Sequence, residues 1–326
     1  KENPAFEMIK RGPQMSIDEM LGDFKSNNVF KSLFEYVSEA SSTYKTEIKR
    51  IQNILEEAEN KIAKSFLRNQ EAITMSKYKI MTYLIQLEYE SNPDNAQVNP
   101  AADYIKKTIK LIEEEGSQYN KGDIKKFEKI LKDYEDGKAG IDNKKLYDSF
   151  NPAEKAAIKA IRGINESLAQ KAAFTASVIR GDKFNPLNNY VHLNVLSDTG
   201  LDESFTPDYM ASFNDSMRPS TKAKSLIERT KGAKALNFDA FASAQRGAKF
   251  VLMDYNLTPA VREARITLNQ TKANLQQQAN EKAREQAKKE GVTDENKLNK
   301  IEGKIPEKEI RIFNAIRDAF ELATSD

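Results

Sequence analysis

Between Lys25 and Asn92 the chain contains neither Gly nor Pro. Within that stretch Val37, Ser41, Tyr44, Ile48, Ile51, Leu55, Ala58 and Ile62 recur at alternating spacings of four and three. A polymer of L-residues with apolar groups at this period and no breaker forms a helix with one apolar seam. The stripe continues less strictly through Phe66, Ile73, Ile80, Leu84 and Leu87. Taken as uninterrupted, the stretch predicts a rod of about 60 residues, roughly 90 Å long at 1.5 Å per residue. Ser41 and Tyr44 make the seam imperfect, so the expectation is antiparallel packing within the chain rather than a parallel dimer.

The rest of the 326-residue sequence extends the same reading, because only 13 Gly and 10 Pro are available to make turns. Pro93 and Pro100 end the rod. Asn99-Pro100 opens a helix to about Gly116, and Asp123 is expected to cap another to about Asp136. Residues 101–148 carry 11 Lys and 11 acidic residues, evenly mixed, which reads as a solvated helical hairpin. Asn151-Pro152-Ala153-Glu154 caps an Ala-rich helix through Ile158, Ile161, Ile164, Leu168, Ala172 and Ile179, stopped by Gly181. Thr258-Pro259 starts a second long helix to Gly291, whose later turns are nearly all polar and are expected to protrude or bridge. A last helix begins at Pro306, with Ile310, Phe313, Ile316, Ala319 and Phe320 on one face.

The expected fold class is therefore all-α: an elongated helical bundle with one or two very long helices and an irregular loop region near 182–218. The expected divisions are an N-terminal arm at 1–26, a long-helix bundle at 27–181, a loop with short basic helices at 182–257, and a C-terminal long helix and hairpin at 258–326. In the arm, Ser16-Ile17-Asp18-Glu19 is a capping box and Gly22 limits its helix. The run Tyr190 to Leu196 suggests an ordered loop with a short strand.

Composition removes much chemistry. The chain has no Cys and a single His, His192, so thiolate nucleophiles, disulfides, Cys-ligated metals and a two-His zinc site are excluded within one chain. No metal and no cofactor is expected. His192 is the only conventional base titrating near neutrality. A hydrolase triad would have to join it to Asp198 or Asp202, but no Gly-x-Ser-x-Gly accompanies it; the plainer reading is a structural His bonded to a loop carbonyl. Asp198, Asp202, Glu203 and Asp208 could supply a carboxylate pair, yet such chemistry usually brings aromatic platforms and the chain has no Trp. Phosphate-binding Gly loops and the EF-hand pattern are absent. Arg180-Gly181-Asp182 spells an adhesion tripeptide whose glycine already serves as a helix stop. The sequons at Asn165, Asn214, Asn256 and Asn269 carry little weight without a secretion signal.

No apolar run of 18 or more residues is present, so no transmembrane span is expected. The start Lys1-Glu2-Asn3-Pro4 leads to the expectation of a fragment, a processed product or the ordered part of something longer. Net charge is only +2, but it is unevenly placed. Arg180 to Met217 holds two basic and six acidic residues (2 − 6 = −4), whereas Arg218 to Phe250 holds eight basic and two acidic (8 − 2 = +6). Lys222, Lys224, Arg229, Lys231, Lys234 and Arg246 could contact nucleic-acid phosphates. The plainer reading is that they pair with the acidic stretch that precedes them, which is adjacent and opposite in sign.

Two stretches carry a family resemblance. The first is Phe150-Asn151-Pro152-x-Glu154-Lys155, an Ala-rich helix bearing Arg162, Gly181, then Pro186-Leu187-Asn188-Asn189-Tyr190-Val191-His192. The second runs Ser220-x-Lys222-Ala223, Arg229-Thr230-x-Gly232, Asn237-Phe238-Asp239 and Tyr255-x-x-Thr258-Pro259-Ala260-x-Arg262. Together they cover about a third of the chain and are similar to a structural element of very large multi-segment proteins of tailed phages and mobile elements. In the crAss-like group such proteins are packaged in the virion and delivered with the genome. The resemblance implies a virion structural or cargo segment, interior or tail-associated, that reaches the host cytoplasm after delivery. Its implied partners are other virion proteins or further segments of a larger parent chain, with DNA as a further candidate. It implies a structural loop at Asn188, Asn189, Tyr190 and His192, and no catalytic residue.

Overall fold

The computed structural model describes residues 28–114, 119–137, 140–181, 187–196 and 232–307, with 310, 311, 313 and 314. These residues are mostly helical, with one two-stranded sheet among them. The helices are α1 (Asn28–Ser65), α2 (Gln70–Ser91), α3 (Ala101–Glu114), α4 (Lys121–Tyr134), α5 (Asn143–Asp148), α6 (Pro152–Phe174), α7 (Ala240–Lys289) and α8 (Glu295–Asn299). A π-helical turn, Thr175–Arg180, continues α6 and ends at Gly181, which adopts the left-handed conformation (φ 72°). Strands β1 (Asn194–Val195) and β2 (Leu236–Asn237) pair antiparallel, Asn194 opposite Asn237 and Val195 opposite Leu236. The chain divides into two units, Thr43–Asn256 and Lys1–Ser42 with Leu257–Asp326.

The Thr43–Asn256 unit is built around α2. Every residue from Ile80 to Gln86 on this helix is buried, as is Tyr78. A helix stretch buried on all sides belongs in the centre of a bundle, and α2 packs against α3, α4, α5 and α6. The seam of α1 faces the same core: Ile48, Leu55, Ala58 and Ile62 are buried, with Tyr44 and Ile51 packed beside them. Lys77 of α2 bonds back to Glu59 of α1 at 2.5 Å, as an antiparallel hairpin requires. The intramolecular packing expected of the seam is what this unit contains.

The uninterrupted rod is not. Helix α1 stops at Ser65 and α2 starts after Asn69, whose side chain accepts from the Ala72 amide. Arg68 N donates to Ala63 O (2.7 Å) and Leu67 N to Lys64 O (3.1 Å), the pair of bonds that closes a Schellman turn. Leu67 (φ 52°) and Arg68 (φ 61°) are both left-handed, where Gly would normally stand. The sequence carries no breaker here; burial of the α1 seam against α2 outweighs the cost of two strained residues, of order 1–2 kcal/mol each.

Three further boundaries differ from the sequence expectation. Helix α4 is capped by Asn120, with Asp123 as its reciprocal partner in a capping box rather than as the cap itself. Helix α7 begins at Ala240, not at Thr258, because Asp239 Oδ1 accepts from the Phe241 and Ala242 amides (both 3.0 Å) and starts the helix early. Pro259 then lies inside α7, where it removes one backbone donor without ending the helix. Short α8, capped by Asp294, carried no sequence expectation. The arm at 1–26 and its capping box lie outside the described residues.

In the unit that contains Leu257–Asp326, the polar turns of α7 bind the returning chain. Gln276, Asn280 and Arg284, each four apart, face it. Gln276 Nε2 donates to Gly303 O (2.6 Å), Gly303 N to Asn280 Oδ1 (2.7 Å), and Arg284 Nη2 to Asn299 O (3.0 Å). Gly303 fits because a Cβ there would collide with the Ala279 carbonyl. These turns bridge through hydrogen bonds instead of protruding.

Candidate functional site

The loop singled out by the sequence, 187–196, is fastened to the C-terminal end of α2. Asn188 N donates to Asn92 Oδ1 (3.0 Å) while Asn92 Nδ2 donates to Asn188 O (2.8 Å). This reciprocal pair imitates one rung of a β-ladder, with an amide side chain in place of a strand. Asn189 is left-handed (φ 52°), a conformation Asn tolerates better than most residues. That geometry lets its Nδ2 reach Ser91 Oγ (2.8 Å) and its Oδ1 accept from Arg162 Nη2 (2.8 Å) on α6. Val191 N then donates to Glu88 Oε2 (2.6 Å), and both residues are buried. Asn188 and Asn189 thus join α2, α6 and the loop, and β1 comes directly after.

His192 lies half-buried on α7. Its ring centre is 6.0 Å from that of Phe250, and a Cβ built on Gly247 would stand 2.8 Å from the His192 Cβ and 2.9 Å from its Cγ. Asp198, Asp202, Glu203 and Asp208, the acids considered beside it, lie outside the described residues. So do Lys222, Lys224, Arg229 and Lys231. Lys234 is exposed. Arg246 is half-buried, and that burial draws the guanidinium pKa below its ordinary value. Tyr190 is half-buried beside the loop asparagines. Asn165, the first sequon asparagine, is buried on α6 and out of reach of a glycosyl transferase.

A second polar cluster carries no mark in the sequence. Tyr119 accepts from Phe238 N (2.6 Å) and donates to Leu236 O (3.1 Å), so its hydroxyl closes the turn after β2. Tyr78 donates to Asp123 Oδ1 (3.2 Å), and Asp123 also receives Lys126 (3.0 Å) and the Asn120 amide (3.0 Å). The rings of Tyr78, Tyr119, Phe127 and Phe238 stack around these bonds. Burial pushes both phenols well above their usual range, with the neighbouring carboxylates adding to it. Lys77 bonds Glu59 and Asp239 together, and although burial opposes its charge, the two carboxylates hold its pKa above normal.

Gln86 completes the set. Fully buried, its Oε1 accepts from Ala101 N (3.2 Å) and Ile141 N (3.3 Å), while its Nε2 donates to Glu90 (3.2 Å). One amide therefore caps α3 and holds the return after α4. Glu88, Gln86, Tyr119 and Gly247 belong to no motif that would have marked them. The only trace was a polar residue, Gln86, at the end of the apolar run of α2, and a lone Gly inside an Ala-rich stripe. What these groups do chemically is satisfy backbone donors and acceptors. Among the described residues, no group of three His, Asp or Glu is arranged to hold a metal ion, and no helix is long and apolar enough to cross a membrane.

In comparisons with protein-family models, with curated proteins and with solved structures, nothing matches this chain.

Proposed function

We propose that this chain is a non-enzymatic helical packing protein, a structural or cargo segment of a phage particle that acts through protein–protein contact. The observation that carries this reading is the use made of the loop residues. Asn188 and Asn189 are committed to Asn92, Ser91 and Arg162, and His192 is seated against Gly247. Residues of the second resembling stretch are spent in the same way, since Asp239 caps α7 and Phe238 packs on Phe127. A segment whose distinctive polar residues are used to fasten helices suits a part that is shaped for assembly. Helices α1 and α7, 38 and 50 residues long, supply lateral surface for it. In this reading the protein travels inside the particle or with its tail and reaches the host cytoplasm on delivery.

The test is quantitative mass spectrometry of density-purified particles from the producing culture, with the chain followed into infected cells by an epitope tag. Co-purification at a fixed copy number per particle is the expected result. Absence from purified particles removes the reading.

A further inference from the structure

We propose that one face of the Thr43–Asn256 unit is a docking surface for an acidic segment of a partner protein. This rests on the protein-contact reading above and names the surface and the chemistry of its occupant. The face is a strip of alternating cations and rings drawn from α2, α4, α5, α6 and Phe150, which lies between α5 and α6. Lys79 Nζ lies 5.0 Å from the ring centre of Phe150 and 5.5 Å from that of Tyr134. Lys145 lies 5.9 Å from the ring centre of the same Tyr134, and Lys155 5.0 Å from that of Tyr147. Tyr147, 37% exposed, leans on Phe150 at 6.4 Å and completes the row. Because the parts come from separate elements, folding fixes their spacing.

Charge is what sets this face apart. Among the described residues of this unit, the other lysines that rest on rings are ion-paired: Lys77 with Glu59 and Asp239, and Lys171 with Glu47. Among the described residues, none of Lys79, Lys145 and Lys155 has a carboxylate ion pair. The acids of the same segments do not pair with these lysines. Asp142 caps α5 at the Lys145 amide, Glu154 closes the α6 capping box, and Asp133 offers Lys145 only its backbone carbonyl (2.6 Å). Asp148, exposed at the end of α5, is the remaining acid there. The strip is thus a row of positive charge held by ring faces, with no carboxylate ion-paired to it among the described residues.

A lysine already resting on a ring has surrendered part of its rotamer freedom, so binding costs it less order. A carboxylate can approach its open side while the ring contact persists, and the lysine stems with Tyr147 offer apolar area between the charges. The matching occupant alternates acidic and apolar side chains. Nucleic acid is a poorer match. Single strands bind by stacking bases on open aromatic faces, but here ammonium groups sit over those faces, and the strip contains no Arg fork for phosphate.

The test is fluorescence anisotropy on the full chain at low salt, with a labelled peptide of alternating Glu and Leu and, separately, a labelled single-stranded oligothymidylate. The triple variant Lys79→Gln, Lys145→Gln, Lys155→Gln removes the strip's charge. Lys49→Gln, Lys107→Gln, Lys129→Gln removes the same charge from exposed sites elsewhere. Circular dichroism checks folding, and Lys155→Glu alone serves if the strip triple unfolds. The expected result is peptide binding that weakens about tenfold in the strip triple, severalfold in Lys155→Glu, and less than about twofold in the control. Three results would overturn the proposal: no peptide binding by the parent chain, equal loss in both triples, or tighter oligothymidylate binding lost with the same three lysines. If particles contain the chain but the peptide does not bind, this surface is removed and the packing reading stands.

Discussion

Gly247 and His192 approach so closely that no other residue fits at position 247 without movement. A Cβ there would meet the His192 Cβ at 2.8 Å and its Nδ1 at 3.3 Å. Both obstructing atoms belong to a half-buried side chain seated on α7. Gly247→Ala is therefore expected to destabilise the Thr43–Asn256 unit by about 1–3 kcal/mol, despite the better helix propensity of Ala. In a His192→Gly background, which removes the Cβ as well as the ring, the same change should cost clearly less. A double-mutant cycle by urea unfolding measures the difference, and additive effects would show that the two residues are not in contact.

The reciprocal bonds between Asn92 and Asn188 make a second cycle. Asn92→Ala and Asn188→Ala act unequally on the clamp: the first deletes both bonds, while the second leaves the Asn188 backbone free to keep them. Asn92→Ala is expected to cost about 1–2 kcal/mol and Asn188→Ala clearly less. Hydrogen exchange should report the larger loss at the Asn188 and Val191 amides. Equal costs would mean that the side chain of Asn188 is the working part.

Leu67 offers a change in the opposite direction. It is 92% exposed, so truncation forfeits almost no burial, and it stands left-handed where Gly is unstrained. Leu67→Gly should raise stability by about 0.5–1 kcal/mol, read as a higher urea midpoint at unchanged slope. A lower midpoint would argue that the side chain is held by something.

Alkaline titration should expose the buried cluster. Tyr78, Tyr119 and Lys77 all have folded pKa values above their unfolded ones. A raised folded pKa contributes stability that is complete below the unfolded value and falls as pH climbs past it. The loss is therefore expected above pH ~10, the ordinary range of phenol and ammonium. Ultraviolet absorbance should show two tyrosines ionising only together with loss of helix. Tyr78→Phe should soften that step, and an unchanged profile would place the loss elsewhere.

How much of this could be read in advance depended on which force decided each feature. Period and caps are local, so the α1 seam, the Asn151 and Glu154 capping box and the Gly181 stop were legible from residues alone. The turn at Leu67 and Arg68 was not, because its cause lies in the core that α2 brings back against α1. Pro259 misled in the same way. Its sequence signature as a helix start is real, but Asp239 supplies an earlier start, and burial of Phe241, Ala244, Ala248 and Leu252 holds the turns between the two. The loop at 188–192 was singled out in the sequence by its paired asparagines and lone histidine. Its meaning was hidden, since the partners Glu88, Asn92 and Gly247 are far away in the chain and individually ordinary.

The short ladder between β1 and β2 has a consequence of another kind. Leu196 N donates to Ala235 O (2.9 Å) just past the paired strands, so these two positions are held side by side. Closing such a loop depends only weakly on how many residues it contains. The ladder is in effect a clasp between two positions far apart in the chain, and its grip depends on the paired residues themselves rather than on the length between them.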